Sequence, residues 1–149
     1  MDPHRCEDKR LLVEPESHHA EILLACLRLM GERLKRNICN LDGSTILSEV
    51  KDLSVLRKAH IGDALDYACR FWTKHLLETP TKTSLIEGVQ KAIDKFFTVH
   101  LLYWIEVLAI TGNLDTGVYS MNDIEQWCNM VSIMQLSSQN LFSWSCRQG

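Results

Sequence analysis

Apolar side chains recur along this chain at intervals of three and four residues, and no stretch of useful length alternates in the manner of a strand. The first stripe is Ile22, Leu23, Cys26, Leu27, Met30 and Leu34. Pro15 resets the backbone ahead of it. Ser17 is placed to be the N-cap, its hydroxyl oxygen accepting from a free amide of the first turn. Arg33, Lys35 and Arg36 crowd the last turn, where positive charge suits the helix dipole, and Asn37 can take the left-handed conformation that ends a helix. Asn40, Asp42, Gly43, Ser44 and Ser48 spell turn chemistry. A short helix over Leu53–His60 follows, with Asp52 as its cap. Gly62 separates it from a third helix capped by Asp63.

The stretch 65–110 carries most of the large side chains, and the rest of the chain is expected to pack around it. Leu65, Ala68, Cys69, Trp72 and Leu76 form one stripe, which Tyr67 and Phe71 widen. Asp66, Arg70, Lys74 and Glu78 mark the opposite face, with Asp66 and Arg70 in the favourable i,i+4 order. The residue before Pro80 disfavours helical geometry, so this helix ends ahead of it. Ser84 and Glu87 have capping-box spacing. Ile86, Val89, Ile93, Phe96 and Phe97 then make a stripe, and over 99–110 apolar residues fall all round, as in a helix buried on several sides. No proline or glycine lies between Val89 and Thr111, so 84–111 is either one long helix or one that bends near Thr98. Gly112 and Asn113 stop it, and Asp115, Thr116 and Gly117 continue the loop. Ser120 with Asp123 opens the last helix, whose stripe is Met121, Ile124, Trp127, Cys128, Val131 and Met134. Residues 137–140 weaken that helix, and the pattern beyond Leu141 has no clean period. The predicted fold class is all-α, with five or six helices in an irregular bundle. An irregular arm covers 1–14, a helical domain 15–136 and a divergent tail 137–149.

Composition narrows the picture modestly. A chain of 149 residues, 46% hydrophobic and 23% charged, is one ordinary globular domain able to bury a core without metal or disulfides. A formal charge of −3 argues against a nucleic-acid-binding module. No apolar run precedes Leu11, and the longest one, 99–110, is interrupted by His100 and Glu106 and is about half the ~20 residues a membrane span requires. A cytoplasmic protein with no membrane partner is expected. The six cysteines show no C-x-x-C pair, and Cys26, Cys69 and Cys128 fall on apolar helix faces, so buried thiols are expected rather than disulfides or zinc.

Candidate chemistry is sparse. There is no G-x-x-x-x-G-K-[ST] and no G-x-S-x-G. His18 and His19 are adjacent, and on a helix they point about 100° apart, a poor arrangement for sharing a metal. Lys35 and Arg36 could meet a phosphate, but a cationic helix end explains them. Glu106 stands out as a carboxylate inside an apolar run. Such a group is costly unless paired. It either faces a solvated edge, pairs with an arginine such as Arg70, or works as a tuned acid with a histidine such as His75 or His100. The first two readings are preferred, since structural ion pairs outnumber catalytic carboxylates. No catalytic, cofactor-binding or metal-binding residue is assigned, and no small-molecule substrate is expected.

One resemblance sharpens this. His19-Ala20-Glu21-Ile22, Cys26-Leu27-Arg28-Leu29-Met30, Lys35-Arg36-Asn37-Ile38-Cys39, Leu65-Asp66-Tyr67-Ala68-Cys69-Arg70-Phe71-Trp72 with His75-Leu76, Tyr103-Trp104-Ile105-Glu106-Val107-Leu108 and a later helix with Trp127 occur in this order. Together they resemble the helical connector of fungal NACHT-type STAND NTPases, which lies between the NACHT domain and C-terminal repeats, often WD repeats. The resemblance covers roughly 11–134. It implies a non-catalytic connector in signal transduction, a fragment lacking the nucleotide-binding motifs, with protein partners that are NACHT- or repeat-containing homologues or copies of itself. The alternative is a stand-alone helical interaction adaptor.

Overall fold

The computed structural model describes residues 15–44, 46–80 and 83–145; the arm over 1–14 lies outside them. The chain is all-α. Among the described residues the elements are α1 (Pro15–Arg33), a 3-10 turn (Leu47–Glu49), α2 (Leu53–His60), α3 (Gly62–Leu77), α4 (Thr83–Lys95), a π-turn (Phe96–His100), α5 (Leu101–Thr111) and α6 (Leu114–Ser145).

Helix α3 is the hub, packed most extensively against α1 and α6 and also touching α2 and α5. Its apolar stripe is buried as the spacing requires: Leu65, Ala68, Cys69, Trp72 and Leu76 are all inside. Leu23, Met30, Val89, Phe96, Trp127 and Val131 complete the core from the other helices. At its centre the rings of Trp72, Phe96 and Trp104 meet with centroids 4.9, 5.7 and 6.3 Å apart. Tilted and edge-on ring pairs of this kind add to simple burial. The Trp104 indole N–H donates to the Cys69 carbonyl at 2.8 Å, tying α5 to α3.

The segment 84–111 is neither a straight helix nor a broken one. Helices α4 and α5 run on through the π-turn, with Thr98 in its middle donating to the Asp94 and Lys95 carbonyls at 2.8 and 3.1 Å. Hydroxyl back-bonding of this sort bends helices. Gly112, at φ 75°, stops α5 in a Schellman arrangement. Its N–H donates to Ala109 O at 3.1 Å, and that of Asn113 to Leu108 O at 2.8 Å.

Several sequence expectations are corrected. Helix α1 begins at Pro15, two residues before the predicted cap Ser17, because proline suits the first helical position. It ends at Arg33, so Lys35 and Arg36 lie beyond it. Asp52 stands at the N-cap of α2 but is left-handed, φ 62°, and its side chain makes no capping bond. Asp63 lies inside α3, whose N-cap is Ile61. Helix α4 starts at Thr83, one residue before Ser84, and the capping-box expectation for the Ser84 side chain falls outside what is described. Tyr67 and Phe71 are exposed rather than widening the stripe. Cys128 and Met134 are exposed, so the α6 stripe is narrower than its spelling. The loop expected over 114–117 is the first turn of α6, which starts at Leu114, and 137–140 do not interrupt it, since α6 continues to Ser145.

Candidate functional site

Glu106 projects from α5 toward the turn that follows α1. Its two carboxylate oxygens accept the backbone N–H groups of Asn37 and Ile38, each at 3.1 Å. Asn37 is left-handed, φ 51°. Its side-chain amide both donates to the Leu41 carbonyl and accepts the Leu41 N–H at 2.7 Å. Adjacent amides turned the same way form a small anion-binding concavity, here filled by the chain's own carboxylate. Glu106 therefore pairs with main chain, not with Arg70. Arg70 instead lies 3.4 Å from Asp66, as its spacing predicts, and stacks over Phe71 at 5.0 Å. The same carboxylate, second to burial, pushes the Cys39 thiol above its ordinary value.

A second polar contact joins α3 to α6. Thr73 Oγ1 lies 3.0 Å from Asp123 Oδ2 and 3.2 Å from Ser120 Oγ, all three residues buried. The carboxylate is the stronger acceptor, so Thr73 donates to it, and the Ser120 proton is left to serve Thr73. Lys74 Nζ closes on Asp123 from outside at 2.8 Å. Ser120 and Asp123 are thus not a helix-opening pair but a fastening between two helices. Their register with Ile124, Trp127 and Val131, and that of Thr73 with Cys69 and Leu76, is visible in the sequence, but their pairing is not.

The histidines divide. His19 on α1 and His75 on α3 face each other, Nδ1 to Nδ1, at 3.1 Å, and Tyr67 Oη lies 2.8 Å from His75 Nε2. A neutral His75 satisfies this chain in either tautomer, donating to one neighbour and accepting from the other. Burial first, then the neighbouring His19 and His18, hold His75 below its ordinary value. His100 is buried in the π-turn, and burial together with Lys95 lowers it too. The buried thiols Cys26 and Cys69 are pushed up by desolvation.

No hydrogen bond joins Glu106 to His75 or His100 among the described residues: Glu106 is held by main-chain amides, His75 by His19 and Tyr67, and His100 Nδ1 has no partner. No cluster of three or more histidine, cysteine or acidic side chains is arranged for a metal among the described residues. A hollow of about 560 Å³ at the α2–α3 junction carries both signs, Arg57, Lys58 and Arg70 against Asp63 and Asp66.

The other conspicuous feature is apolar. Val99, Leu102 and Ile105 on the outer side of the π-turn and α5 are 53, 75 and 39% exposed. This narrows the expectation of a helix buried on several sides: Trp104, Val107, Leu108 and Ile110 are buried, while Leu102 and Ile105 are exposed. Leu114, Val118 and Tyr119 at the start of α6 are likewise exposed. Gly117 lets α6 approach α5 here, since a β-carbon at that position would lie 3.2 Å from Leu108 Cδ1. No helix among the described residues is long and apolar enough to cross a membrane. No protein-family model, no curated protein and no solved structure matches the chain.

Proposed function

We propose that this chain is a non-catalytic helical connector that works by protein contact, the role implied by its resemblance to the NACHT-type connector segment, and that it acts in the cytoplasm. The observation that carries the reading is the open row Val99, Leu102 and Ile105. A connector presents apolar side chains to the partners it joins, and apolar surface gathered on one side is a mark of interaction sites. The row runs from the π-turn onto α5, whose inner face is fixed by Trp104 and whose Glu106 is bonded to the α1 turn, so it is held in place before any partner arrives. The partners are a NACHT- or repeat-containing homologue or a second copy of the chain.

The test is light scattering combined with a direct binding assay. The wild-type chain and Leu102→Glu are compared alone and over an immobilised NACHT–repeat protein lacking its own connector. Self-association or capture that the glutamate abolishes supports the reading. A wild-type monomer that binds neither itself nor the NACHT–repeat protein overturns it. Capture of purified, unrelated proteins through the same row would favour the stand-alone adaptor.

A further inference from the structure

His100 is 9% exposed, Nδ1 is enclosed with no partner, and Nε2 forms no hydrogen bond among the described residues. Such a group is rare in a folded interior. It occurs in a π-turn, a distortion frequent at functional sites. An enclosed acceptor without a donor is tolerated better than an enclosed N–H without an acceptor. The ring proton therefore belongs on Nε2. That nitrogen faces Gly31 of α1, where a β-carbon would sit 3.7 Å away.

Gly31 and His100 both line a groove of about 410 Å³ between α1 and the α4–π-turn segment. This volume lies within the usual range of small-molecule sites. Leu27 and Phe96, both buried, form its apolar base. The exposed charges on its rim are Arg28, Lys95 and Glu32, two positive and one negative. Gly31 stands in the last turn of α1. Here it leaves open the space in front of His100. The groove thus offers an apolar base, one inward N–H donor and an excess of positive charge.

We propose that this groove is a binding site for a small amphipathic carboxylate. The alkyl part lies on Leu27 and Phe96, and the carboxylate accepts from His100 Nε2–H between Arg28 and Lys95. The ligand is a small molecule, a class the composition and motifs give no hint of, and the site is distinct from the open row on α5.

The experiment uses the full chain with isotope-labelled histidine, and octanoate as the probe. Two-bond nitrogen–proton spectra at neutral pH read the tautomer, and titration reads occupancy. His100 is expected as the Nε2–H tautomer, with a Nε2 signal that shifts saturably with octanoate. Lys95→Gln should weaken the probe roughly threefold, the scale of one exposed charge contact. Uncharged octanol should bind more weakly than octanoate by at least as much. Gly31→Leu should abolish the shift by filling the groove, with far-UV circular dichroism confirming the fold. Should the leucine variant fail to fold, the exposed Lys95 substitution still decides the matter. An Nδ1–H tautomer, a static His100 signal, or equal binding of octanol and octanoate would overturn the proposal.

Discussion

Removing the Glu106 carboxylate tests the most specific contact in the fold. Glu106→Ala deletes both bonds to the Asn37 and Ile38 amides. A hydrogen bond to a charged group contributes about 1.5–3 kcal/mol net. The Asn37 contact is exposed and belongs at the low end, while Ile38 is buried and its amide would be stranded away from water. The expected cost is therefore about 2–4 kcal/mol in urea unfolding. At about 2–4 °C per kcal/mol for a chain of this size, the midpoint should fall by roughly 4–16 °C. Glu106→Gln keeps one acceptor and turns an NH2 toward the second amide, so about half the loss is expected. Hydrogen exchange makes the test local: protection at Asn37 and Ile38 should fall by more than the global loss explains. Arg70→Met should leave those two amides unchanged, because Arg70 is not the partner. An alanine variant within about 0.5 kcal/mol of wild type, or one that is destabilised with 37 and 38 exchanging as the global change dictates, would refute the account.

Two further outcomes test the helix fastenings and the histidines. Among Asp123→Ala, Thr73→Val and Lys74→Met the losses should rank in that order, at about 2–3, 1–2 and under 1 kcal/mol. Asp123 anchors two partners and Lys74 is mostly in water; a reversed order in urea titrations would show that the ion pair, not the buried hydroxyl, dominates. His75 and His100 are both held below their ordinary value of 6.5. The unfolded chain then binds more protons in the window below 6.5, so stability should be flat above it and fall as pH drops through it toward the folded-state values. Urea midpoints at about pH 7.5 and about pH 5.5 measure this, and His75→Gln should flatten the slope; an unchanged slope in that variant would assign the pH dependence elsewhere.

The core was legible because burial follows helical period. Leu23, Met30, Leu65, Trp72 and Trp127 are inside where spacing puts them, and the Gly112 stop follows from backbone freedom alone. What the sequence concealed was polar. Ser120 and Asp123 have local spacing that suits a helix start, yet the same spacing suits two groups on one helix face, and only the approach of Thr73 on α3 decides between them. Glu106 was conspicuous, but its partners are main-chain amides nearly seventy residues away, which no side-chain pattern announces. Val99, Leu102 and Ile105 misled in the opposite sense, because hydropathy fixes which residues prefer burial and not whether another surface is there to bury them.

These polar contacts share an arrangement that bears on the proposed role. Four of them have one end on α3 or α5: His75 to α1, Thr73 to α6, Trp104 to Cys69, Glu106 to the α1 turn. Apolar packing alone tolerates sliding between helices more readily than directed bonds do, and a satisfied buried polar pair holds a register. Helix α5 is fixed by its indole bond on the inner side and by its carboxylate at the α1 turn, while among the described residues no polar contact ties down the side that carries Leu102. A surface already ordered loses little entropy when it docks, so a short apolar row can bind where a mobile one of equal area would not. On that reasoning Glu106→Ala should weaken partner binding through α5 even though Glu106 lies away from the row, by loosening the helix that presents it.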